Sequence, residues 1–118
     1  MIKTANPGSL LGHWLNTNRE PQDIAECVVA QDGADITVSI TGVKETWPTV
    51  HATPLANLEE EAGQRTIALL ATFELDSMRA ETHIRVNKGV LVIVLYATFH
   101  DGSGRSNYLN REFFYRAT

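Results

Sequence analysis

From Met78 to Val86 the chain alternates strictly. Met78, Ala80, Thr82, Ile84 and Val86 share one parity, and Arg79, Glu81, His83 and Arg85 share the other. Side chains in a strand point to opposite faces with a period of two, so this stretch is a strand with one buried and one wetted face. Winding it into a helix would scatter the charges through the apolar side.

The same alternation, with β-branched and aromatic enrichment, recurs along most of the chain, and helical periodicity is almost absent. A loose segment to Ser9 precedes a first strand over Leu11–Asn16, which ends where Asn16-Thr17-Asn18 and Pro21 oppose continuation. A second runs from Ile24 to Gln31, turns at Asp32-Gly33 and returns antiparallel through Ile36, Val38 and Ile40. Trp47 to Thr53 reads as a fourth strand, interrupted by Pro48 and bounded by Pro54, at an edge or rim of the sheet. Leu55 to Gln64, with its run Glu59-Glu60-Glu61, reads as a solvated loop. Four longer strands follow: Thr66–Leu75, Met78–Val86, Val90–Phe99 and Tyr108–Arg116.

Short connections make sequence neighbours into spatial neighbours, so these elements form an antiparallel meander. About eight strands in one short chain either sandwich or close, and closure removes the unpaired edges. The expectation is an all-β protein: one closed up-and-down antiparallel barrel of about eight strands, occupying residues 1–118 as a single domain. Such a barrel is just wide enough to be filled by side chains or to hold one small ligand.

Several strands are apolar on both faces. Leu91, Ile93, Leu95 and Phe99 oppose Val90, Val92, Val94 and Tyr96, while Leu109, Phe113 and Tyr115 oppose Tyr108 and Phe114. An outer face this greasy wants a cover, and a homodimer is the expectation.

Charge excludes other partners. The formal net charge is -4 and the ten Lys and Arg are scattered without a basic run, so neither nucleic acid nor an anionic membrane surface is expected as a partner. Cys27 is the sole cysteine, which leaves no internal disulfide and no multi-cysteine zinc site. The start, Met1 to Ser9, lacks an apolar signal core, and a cytoplasmic location is the simplest expectation.

Chemistry-bearing residues are sparse. His13, His51, His83 and His100 stand at no ligand spacing, so no metal is expected, and no Walker or dinucleotide fingerprint calls for a cofactor. Glu26 interrupts the apolar run Ile24–Val29. Facing inward it would be a desolvated carboxylate suited to acid-base work; the alternatives turn Cys27 and Val29 inward and Glu26 outward, or pair Glu26 with Arg111. His51, after Trp47 on the rim strand, is the other candidate for proton transfer. Cys27 reads as a small buried hydrophobe, and Gly102-Ser103-Gly104-Arg105 as a hairpin connection or, alternatively, a cradle for an anion.

Gly12-His13-Trp14 on the first strand, followed by a β-meander and an arginine in the last strand, resembles the lipocalin-like (calycin) barrels. That resemblance implies that Trp14 packs against a late basic residue, Arg111 or Arg116, to close one end. The longer Gly12-His13-Trp14-Leu15-Asn16 also looks like the opening of the avidin branch, which implies a place for Asn16 beside a ligand; the later tryptophans of a biotin site have no counterpart. Gly12 to Asn18, with Asp101 to Tyr108 and Arg111 to Phe114, is similar to a group of small uncharacterised bacterial lipocalin-like proteins.

Three functions follow as expectations. The first is binding of a small, mostly apolar molecule in the barrel by Trp14, Asn16, Trp47, Tyr96, Tyr108 and Arg111. The second is a cofactor-free enzyme, a cyclase or isomerase, using Glu26 or His51 in the lumen. The third is a packed barrel acting through its outer face as an assembly partner.

Overall fold

The structure is a computed structural model that describes residues 8–56 and 66–117. The expected loose start to Ser9 and the loop over Leu55–Gln64 therefore lie mostly outside the described residues. Among the described residues a short 3-10 turn, Gly8–Leu10, precedes nine strands: β1 Gly12–Asn16, β2 Ile24–Asp32, β3 Asp35–Gly42, β4 Val50–His51, β5 Thr53–Ala56, β6 Thr66–Glu74, β7 Met78–Asn87, β8 Val90–Phe99 and β9 Tyr108–Arg116. They form one antiparallel sheet in the order β4-β3-β2-β1-β9-β8-β7-β6-β5. Among the described residues no helix is long and apolar enough to cross a membrane.

The two ends of that order, β4 and β5, are separated by Ala52 alone. Val50 and His51 pair with β3, Ala52 donates its N–H to the Ile36 carbonyl at 2.8 Å, and Thr53 onward pairs with β6. One segment thus changes partners and rolls the sheet into a nearly closed barrel. Counting residues 50–56 as a single strand gives the eight expected. The β4 strand starts three residues after Trp47, which lies in the preceding loop and donates its N–H to the Ile40 carbonyl at 3.3 Å. Pro54 is accommodated within β5, opposite Leu69, because among the described residues β5 bonds to a strand on one side only.

Period two now decides inside from outside. Met78, Ala80, Thr82 and Ile84 of β7 point into the core with Leu91, Ile93, Leu95 and Ala97 of β8. On β3 the inward set is Ile36, Val38 and Ile40. β2 departs from simple alternation: a register shift against β3 between Ile24 and Glu26 lets Ile24, Cys27 and Val29 all face inward. Glu26 is consequently on the outside, and the reading of it as a carboxylate in an apolar lumen is corrected. Burial pushes the Cys27 thiol up to about 12, which keeps it a neutral core side chain.

Trp14 closes one end. Its indole is fully buried and donates to the Leu10 carbonyl at 3.1 Å. The Arg116 guanidinium lies over the ring, 4.3 Å from its centre, and donates to the carbonyls of Leu11 and Ser9. The cation thus stacks on the plug and ties down the segment that leads into β1. Arg116, from the end of β9, is the basic residue on Trp14; Arg111 is exposed on the outer face opposite Val94. Gly12 is required here on two counts: its φ is +134°, and a Cβ would come within 2.5 Å of an Arg116 nitrogen.

Gly12→Ala should therefore cost about 1–3 kcal/mol through backbone strain and displacement of Arg116. Urea unfolding measures it, and a loss below a few tenths of a kcal/mol would contradict this account of the plug.

Candidate functional site

The end opposite Trp14 is built from four connections: 17–23, 43–49, 75–77 and 100–107. They surround a cavity of about 420 Å³. Its floor is Trp47, buried and tilted against the fully buried Phe73 at 5.1 Å between ring centres. Gly42 permits this position, since a Cβ there would lie 2.5 Å from the indole nitrogen. Met78, Phe99 and Tyr108 add apolar wall, and Asp23, Lys44, Glu45 and Arg105 bring charge to the rim.

The polar groups are held by the inward row of β9, which runs Tyr108, Asn110, Glu112, Phe114. The Tyr108 hydroxyl donates to Asp23 Oδ1 at 2.5 Å and the Asn110 amide donates to Oδ2 at 2.7 Å. Partial burial first, and then the bond to the Asp23 carboxylate, push the Tyr108 phenol well above its ordinary range. One turn of the pleat deeper, the buried carboxylate of Glu112 accepts from the backbone N–H groups of Ile24 (3.0 Å) and Gln22 (3.2 Å) and from the Asn16 amide (3.0 Å). Asn16 also donates to the Ile24 carbonyl at 2.8 Å. Glu112 therefore clamps the 17–23 loop to the barrel and fixes where Asp23 sits.

On the opposite rim, Arg105 lies over the Phe99 ring at 4.2 Å, and Phe99 packs on Tyr108 at 5.8 Å. Arg105 is held by Asp101 (2.6 Å) and by the Ser103 hydroxyl (3.0 Å). The Ser103 hydroxyl and N–H, then Arg105, hold the Asp101 carboxyl far below its usual range. The N–H groups of Ser103 and Arg105 donate to Asp101 and to the Ser103 hydroxyl. The Ser103 and Arg105 N–H groups are thus spent on the loop's own side chains, which braces this wall of the cavity.

The sequence-predicted residues divide. Trp47 and Tyr108 line the cavity. Asn16 and Arg111 line a smaller, more polar depression of about 270 Å³ beside it. Trp14 is at the far end. Tyr96 points outward and is 42% exposed, because on β8 the lumen takes the odd-numbered parity of Leu91, Ile93 and Leu95; its place in the mouth is corrected. Glu26 bonds His13 at 2.9 Å and accepts from Thr41 at 3.3 Å on the outer face. His51 is exposed on β4. Glu26 and His51 thus both stand outside the lumen, away from any proton transfer there. Among the described residues no three metal-ligating side chains come together.

Asp23, Glu112, Met78 and Phe99 were not among the site residues expected from the sequence, although Met78 belongs to the inward parity of its strand. The signal for Glu112 was its parity with Phe114, two residues along an end strand whose inward face had not been assigned. Comparison of the chain with protein-family models, with curated proteins and with solved structures finds no match in any of the three.

Two outcomes test this geometry. Glu112→Gln sets an amide donor against N–H donors, and should cost about 1.5–3 kcal/mol with faster hydrogen exchange at the Ile24 amide. Unchanged exchange would remove the clamp. For Tyr108 the folded state holds the phenolic proton more tightly than the unfolded chain does. Its contribution is complete below pH ~10 and is lost as pH rises above that value. Urea midpoints between pH 9 and 11.5 should fall less steeply for Tyr108→Phe than for the parent.

Proposed function

We propose that the chain is a lipocalin-like binding protein that takes one small, mostly apolar molecule into the mouth of its barrel. The observation that carries this reading is the cavity of about 420 Å³ floored by Trp47, within the ordinary size range of small-molecule pockets. The walls of Trp47, Met78, Phe99 and Tyr108 suit an apolar body, and the charged rim with its braced Asp23–Tyr108 pair suits a hydrogen-bonding end on the ligand. The lipocalin-like affiliation rests on the Gly12-x-Trp14 segment, the arginine stacked on it, and the barrel order of the strands.

The two tryptophans make the site readable. Titration with anilinonaphthalene sulfonate should quench tryptophan emission in the parent and in Trp14→Phe, but not in Trp47→Phe. Met78→Trp, which fills the cavity, should weaken the probe at least tenfold while leaving the circular dichroism spectrum unchanged. Quenching that persists in Trp47→Phe, or probe affinity indifferent to Met78→Trp, would overturn the mouth as the binding site.

A further inference from the structure

On the outer face, β8 and β9 present an apolar strip broken by one charged side chain, Arg111, between Leu109 and Phe113. Leu109 is 65% exposed, Tyr115 50%, Phe113 45% and Tyr96 42%, and half-buried Val90, Val92, Val94 and Leu15 fill between them. The register sets Tyr96 beside Leu109, Val92 beside Phe113 and Leu15 beside Tyr115. Charged and polar side chains border it on both sides: Glu81, His83 and Arg85 of β7, and the His13–Glu26 pair of β1 and β2.

We propose that this strip is the interface of a homodimer, each copy covering the other's β8 and β9. Three aromatic rings and a leucine at these exposures, with the flanking valines, leave on the order of 500 Å² of apolar surface. A stable dimer hides about 800 Å² on each partner, close to two thirds of it apolar in homodimers, so the strip supplies what a second copy requires. An apolar centre inside a polar rim is the layout of such interfaces.

The strip also complements itself. A two-fold axis parallel to the strands, between β8 and β9, lays β9 of each copy over β8 of the other. Leu109 then meets Tyr96 and Phe113 meets Val92, while Arg111 meets Val94 in place of its own counterpart, following the cross-strand register within one chain. This inference stands apart from the mouth, none of whose cavity-lining residues belongs to the strip.

The test is mass by sedimentation velocity at micromolar concentration. The parent chain should run at about twice its 13.1 kDa. Leu109→Glu and Phe113→Glu each bury two symmetry-related charges and should raise the dimer dissociation constant at least about 100-fold. Val28→Glu, outward on β2 and beyond the strip, should leave it unchanged. All three positions are exposed, and unaltered circular dichroism shows that the fold is kept. A monomeric parent overturns the proposal, including one that instead sediments with phosphatidylcholine vesicles; so does a dimer indifferent to Leu109→Glu and Phe113→Glu.

Discussion

Closure of this barrel depends on residues 50–56 changing partners. Val50 and His51 complete the ladder of β3, Thr53 to Ala56 begin the ladder of β6, and the Ala52 N–H keeps its bond to Ile36 across the switch. Without it the order of strands would be an open sheet with two free edges and an apolar face turned to water. The other junction between the two halves of the chain is β1 against β9, which matches three residue pairs, beginning with Trp14 opposite Arg116. Both seams are short. The stacking of Arg116 on Trp14 is therefore more than an end plug, since it reinforces one of the two short ladders that keep the sheet rolled up.

A rolled sheet gives every strand an inside, and the inside here is not uniform. Trp14, Phe114, Leu91 and Ile93 are among the fully buried side chains, and with Phe73 they leave the middle of the lumen packed. Toward the mouth, the inward row of β9 changes from Phe114 to Glu112, Asn110 and Tyr108. A buried carboxylate persists only with partners, and Glu112 finds them in the N–H groups of a loop that has no ladder of its own. The cost of burying that charge is offset by ordering the loop. Asp23 is then presented to Tyr108 and Asn110 and not to bulk water. The cavity of about 420 Å³ lies at the rim, and large buried side chains pack the lumen beneath Trp47.

How much of this was legible in the residues depended on how local the deciding interaction was. The alternation of Met78–Val86 fixed its own inward face, and Gly12-x-Trp14 announced a buried tryptophan at one end; both are written within a few positions. Glu26 was ambiguous because a single register shift next to it reverses which parity points inward, and bulges leave no mark in apolar spacing. Tyr96 was misplaced because Val90–Phe99 is apolar on both sides, so periodicity alone cannot say which side a ligand would see. Trp47 sits in a loop and enters the core by tertiary packing on Phe73, 26 positions further along the chain. The Glu112 clamp joins residues about ninety positions apart, beyond the reach of any local pattern.

The same parity rule that packs the lumen also accounts for the greasy exterior. On β8 and β9 the outward positions are free of lumen packing, and a sheet wetted on one side would ordinarily carry polar residues there, as β7 does with Arg79, Glu81, His83 and Arg85. Valine, leucine, phenylalanine and tyrosine in their place add nothing to closure and would weaken solubility if left bare. The mouth loops all lie at one end of the barrel, while this strip runs along its side. Two barrels joined side to side with the axis along the strands would have both mouths opening in the same direction. On the two proposals made above, an outer face that associates and a mouth that receives can coexist, because alternation sends neighbouring residues of one strand to opposite faces of the sheet.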